Sequence, residues 1–105
     1  MLSAPHFIAT KIEAFHGRGK GDFLASADIE DIVRVVDGRA ELANEIEAAG
    51  TEVRAYLRDE ITRMLGNAAF TDALPGHLPG DSASQQRADV VLERLRSIAG
   101  VRRSR

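Results

Sequence analysis

The chain has 105 residues, 44% hydrophobic and 29% charged, with a net charge of −2 and no cysteine. That length suits one domain with a thin core, and the composition excludes wholesale disorder, disulfides and thiolate metal sites. No apolar run is long enough for a bilayer, the first residues lack a secretory pattern, and the small net charge gives no whole-molecule attraction to nucleic acid, so a cytoplasmic protein is expected.

Apolar spacing predicts five helices and no strand. The first runs from about Pro5 to His16, with Pro5 at an early position where its missing N–H has no partner to lose. Phe7, Ile8, Ile12 and Phe15 form its stripe, and Gly17 and Gly19 end it. The second, about Ala27 to Val36, turns Ile29, Ile32, Val33 and Val36 inward before the Asp37-Gly38 turn. The third, about Ala40 to Ala49, is anchored by Leu42 and Ile46 and stopped at Gly50. The fourth, about Glu52 to Leu65, carries Val53, Tyr56, Leu57, Ile61, Met64 and Leu65 at helical spacing, with Asp59 and Arg63 placed for a surface ion pair.

One further turn is expected at Phe70 to Leu74. The stretch Pro75 to Asp81 holds two prolines and two glycines and is read as non-helical. The fifth helix opens with Ser82 and Gln85 at capping-box spacing and presents Ala88, Val91, Leu92, Leu95 and Ala99 before Gly100. The expected fold class is all-α, a compact bundle of about five short helices. Residues 1–100 form a single helical domain and 101–105 a basic C-terminal tail. From Arg87 to Arg105 there are six arginines against Asp89 and Glu93, a phosphate-holding end or, more simply, a solubilising one.

Lys11 falls at the middle of the first helix's apolar stripe, and Arg18 lies seven residues on, within about 20° of the same line. A cation there either lays its stem over the core and reaches water or a carboxylate, or faces a phosphate or an acidic partner. Asp28 and Asp31 lie one turn apart at the start of the second helix, where its dipole favours acids. Asp31 is close enough to the buried face to pair with Lys11 or Arg18. Two carboxylates at this spacing are a weak metal site by themselves, and no catalytic or metal residue is assigned. His6, His16 and His77 are scattered, with His77 read as a turn residue between two Pro-Gly pairs. The glycines of 17–21 lack the spacing and preceding strand of a phosphate loop.

Lys11-Ile-Glu-Ala-Phe-His-Gly-Arg18 followed by Asp28-Ile-Glu-Asp31-Ile-Val resembles the last motif of the AbiEii-type nucleotidyltransferases, toxin components of toxin–antitoxin systems of mobile elements, and their relatives. Leu24-Ala-Ser and Ala73-Leu-Pro-Gly-His-Leu-Pro are similar to members as well. The resemblance spans about residues 4 to 99, with its specificity in the first forty.

It implies that Lys11 reaches toward nucleotide phosphates and that Asp28 and Asp31 brace the site. The family's Gly-Ser turn, its D-x-D pair for Mg²⁺ and its third Asp precede the Lys motif and have no counterpart here. The isolated chain is therefore expected to be non-catalytic, with Mg²⁺ and a nucleoside triphosphate entering only beside a catalytic domain. Expected partners are that domain or a second copy of this chain, a homodimer burying on the order of 1,200 Å². The alternative reading is a stand-alone helical interaction module. Nucleic acid is not an expected partner, because one Tyr and no Trp leave little for bases to stack on.

Overall fold

A computed structural model of the protein describes residues 3–18 and 22–100, so the 101–105 tail lies outside the described residues. The predicted helices are α1 (Ala4–Arg18), α2 (Ala27–Gly38), α3 (Leu42–Glu47), α4 (Thr51–Leu65) and α6 (Ser82–Ala99). The turn expected at Phe70 to Leu74 is a short helix, α5 (Ala68–Ala73). α1 and α6 each pack against α2, α3 and α4, giving an all-α bundle. The radius of gyration, 13.0 Å, is what a compact chain of about 100 residues has.

The helical period decides which side chains are hidden. Ile8 and Ile12 of α1, Ile29, Ile32, Val33 and Val36 of α2, and Leu57 and Ile61 of α4 are all 2% exposed or less. In α6 the buried residues are Val91, Leu95 and Ile98; Ile98 adds to the expected stripe, whose Ala88, Leu92 and Ala99 are half-buried against the core. α2 is rich in β-branched residues, which favour strands. Burial of that face against α1 and α6 outweighs the weak local preference.

Helix ends follow local chemistry. Ser26 Oγ accepts from the Ile29 amide at 3.1 Å and starts α2. Asn67 Oδ1 accepts from the Ala69 amide at 2.9 Å and starts α5. Gly100 takes φ +76° at the end of α6, the left-handed closing conformation that costs a residue with a Cβ about 1–2 kcal/mol.

Three expectations change. The N-cap of α6 is Asp81 rather than Ser82: its Oδ2 accepts from the Ser84 amide at 3.0 Å, which holds its carboxyl below the usual range. Gln85 does not close a capping box, because its Nε2 donates instead to the carbonyls of Pro75 and Pro79, each at 2.9 Å. Those carbonyls belong to the stretch read as wholly non-helical, yet Leu74–His77 forms a 3₁₀ turn. Pro75 permits this because it sits in the turn's first residues, where no N–H is needed. Arg63 pairs with Glu60 at 2.9 Å rather than with Asp59. Both spacings are open to it on a helix, and the Glu60 carboxylate is held in place by a second contact described below.

Tyr56, the one tyrosine in the chain, donates its hydroxyl to Glu13 and ties α4 to α1. Burial, then this bond, raises its pKa well above the usual value of about 10. The folded value lies above the unfolded one, so this contribution to stability is complete below about pH 10 and is lost as pH rises through the folded value. In an alkaline titration followed by the phenolate's near-ultraviolet band, the native protein is expected to stay protonated where the urea-unfolded chain has already ionised. Coincident curves would rule the contact out.

Candidate functional site

The four residues singled out from the sequence meet on the seam between α1 and α2. Lys11 Nζ lies 2.9 Å from Asp31 Oδ2 and 3.9 Å from Asp28 Oδ1. Arg18 Nε donates to Asp28 Oδ2 at 2.7 Å. Helical spacing places the two cations along one line of α1 and the two acids one turn apart on α2, and antiparallel-style packing of consecutive helices brings the lines together. Asp28 is the one buried charged residue among those described, at 3% exposure, and both of its oxygens face a cation.

The surroundings complete the charge balance. Lys11 Nζ also lies 5.3 Å from the centre of the Phe7 ring, within the range of a cation–π contact. Its side chain is 27% exposed, so the stem covers the core while the ammonium reaches the carboxylates. Arg34 Nη2 donates to Glu30 Oε2 at 2.9 Å and Nη1 lies 3.8 Å from Asp31. Three cations thus face three acids. The Arg18 guanidinium, whose pKa is raised by its hydrogen bond to Asp28 and then by that charge, remains 67% exposed on the outer rim.

Chemically, this arrangement clasps two helices and leaves one guanidinium turned outward. Asp28 and Asp31 are already engaged by cations, so neither presents an open pair of oxygens to a divalent ion. Among the described residues no group of three or more His, Asp or Glu side chains is placed to hold a metal.

The histidines do not join this cluster. His6 Nδ1 meets Ser3 Oγ at 2.7 Å at the start of α1. His77, read as a turn residue, does stand in the 3₁₀ turn, but it is half-buried and its Nε2 donates to the Phe23 carbonyl at 2.7 Å. His16 meets Glu60 of α4 at 2.8 Å. That last pair was missed in the sequence because 44 positions separate its members. The one signal available was Glu60 itself, an acid adjoining the buried Ile61 of the α4 stripe.

No family model matches this chain, and neither a curated protein nor a solved structure matches it.

Proposed function

We propose that this chain is a non-catalytic helical domain related to the C-terminal part of AbiEii-type nucleotidyltransferases, with a vestigial phosphate-facing rim at Lys11 and Arg18. The observation that supports it is the convergence of the motif's four residues, from two helices, on one partly open seam. Asp28 and Asp31 hold the cations in position, and a phosphate has to compete with them. Binding is accordingly weak and falls with salt. Transfer chemistry needs carboxylates free to hold metal around an in-line attack, and those here are paired. Mg²⁺ and the triphosphate belong to a catalytic domain working beside this one, in the cytoplasm.

Incubation with each labelled nucleoside triphosphate, Mg²⁺ or Mn²⁺, and a mixed RNA and protein acceptor pool is expected to give no incorporation. Triphosphates are expected to raise the melting temperature by a degree or two, an effect that Lys11→Ala removes. Incorporation that disappears in Asp28→Ala would overturn the non-catalytic reading, and an unchanged melting curve would overturn the phosphate rim.

A second reading, a helical interaction module that pairs with itself, is favoured by Leu24. This side chain is 59% exposed at the edge of an open depression of about 570 Å³ shared with Leu78 and Pro79. Glu30, Arg34 and Asp37 line the same depression, so a partner docking there would meet an apolar edge beside charges. Light scattering would then return about twice the 11.4 kDa chain mass, and a monomer at high micromolar concentration would remove this reading.

A further inference from the structure

We infer that a cavity between α1, α4 and the segment preceding α2 binds a small aromatic carboxylate, a single ring of benzoate size. The cavity measures about 160 Å³ and is walled by Ile12, Phe15, Phe23, Ile29 and Met64. An apolar protein cavity of about 150 Å³ is enough to take up benzene. The volume therefore admits one ring and little else.

The walls favour an aromatic body over an aliphatic one. Phe15 and Phe23 stack with centroids 5.0 Å apart and an interplanar angle of 27°, and Phe23 meets Phe70 edge-on at 5.6 Å. A ligand ring entering beside this array gains edge or offset contacts with Phe15 and Phe23. Met64 adds a polarisable sulfur, which favours ring edges and adapts to the shape it meets.

Arg63 at the mouth sets the charge of the ligand. The mouth's one acid, Glu60, is only 12% exposed and has both oxygens engaged, Oε1 by His16 Nε2 at 2.8 Å and Oε2 by Arg63 Nη1 at 2.9 Å. Asn67 Oδ1 is taken by the Ala69 amide, so the group it offers is its NH₂. On Arg63 and Asn67 the capacity left is that of donors, namely the remaining guanidinium N–H groups and the amide NH₂. Arg63 is 72% exposed and able to turn toward an incoming anion without leaving Glu60. An acceptor of negative charge at the outer end of the ring completes the set, and a planar carboxylate matches the guanidinium fork. None of Lys11, Arg18, Asp28 or Asp31 takes part, so the inference stands apart from the phosphate rim.

The test is a titration of the ¹⁵N-labelled full chain with benzoate, benzyl alcohol and acetate, followed by amide shifts. Benzoate is expected to shift Phe15, Phe23, Met64 and Asn67 saturably, with a dissociation constant on the order of a millimolar for a ligand of this size. Acetate, which lacks the ring, leaves them unmoved. Arg63→Gln, at an exposed position that leaves the fold intact, is expected to weaken benzoate roughly fivefold while benzyl alcohol binds as before. Met64→Phe, checked for folding by circular dichroism, fills the space and removes both ligands. Equal shifts with acetate and benzoate would reduce the site to a surface anion patch and overturn the inference. So would the absence of saturable shifts at tens of millimolar benzoate, or an equal effect of Arg63→Gln on both aromatic probes.

Discussion

Phe70→Ala is expected to destabilise the fold by about 3–5 kcal/mol, the range for emptying a buried aromatic site. Phe70 is fully buried, and its ring is the inner end of the row that continues through Phe23 to Phe15. Its neighbour Phe23 is only partly buried and already stacks on Phe15, so filling the gap would break that pair. Domains of this size hold about 5–15 kcal/mol in total, so the loss consumes a large fraction of the margin. At about 4–8 °C per kcal/mol, the melting temperature should fall by at least about 12 °C. Phe70→Leu keeps most of the volume and should cost less than about 2 kcal/mol. Urea or thermal unfolding checks both, and a shift of only a few degrees in the alanine variant would show that the ring is not part of the core.

Arg94→Met is expected to cost about 1.5–3 kcal/mol, the scale of hydrogen bonds from a charged donor. Arg94 reaches from α6 and donates from Nη1 to the carbonyls of Val36 at 3.0 Å and Asp37 at 2.7 Å. These belong to the last turn of α2, whose carbonyls have no partners within the helix and whose dipole favours a cation. Methionine preserves the packing of the stem and removes only the guanidinium. Arg87, which is more exposed, also reaches Asp37, through Nε to Oδ1 at 2.6 Å and Nη2 to the carbonyl at 3.2 Å. Arg87→Met should therefore cost less than about 1 kcal/mol, since half-exposed ion pairs contribute little. The double variant should cost more than the sum, because each guanidinium covers the Asp37 carbonyl when the other is gone. Strict additivity in a denaturant cycle would show that the two do not share it.

The helical frame was legible because burial follows a 3.6-residue period. Ile8 and Ile12, the four buried aliphatics of α2, and Leu57, Ile61 and Met64 declare their faces without any knowledge of neighbours. What the period does not contain is competition between equivalent local choices. Asp81 and Ser82 are both good N-caps, and the choice between them is settled when Gln85, the other half of the expected box, is drawn to the Pro75 and Pro79 carbonyls. Arg63 has acids at both helical spacings, and Glu60 wins because His16 already anchors it. The charge cluster on α1 and α2 was readable for a different reason: a cation centred in an apolar stripe needs a counter-charge, and the next helix supplies two. The His16–Glu60 contact and the aromatic cavity depend on α4 folding back over α1, which no local pattern encodes.

The His77 bond to the Phe23 carbonyl also bears on how the molecule opens. It joins the turn before α2 to the 3₁₀ turn, 54 positions on, and the space above Gly76 is filled by Leu24, whose Cδ1 would lie only 2.6 Å from a Cβ placed there. Gln85 adds a bond from α6 to the same turn. Loops of this composition ordinarily fluctuate singly, exchanging their amide protons at rates set by each one's own mobility. Lifting either segment breaks contacts of the other, so residues 22–26 and 74–81 are expected to open together, as one latch with similar amide protection across both.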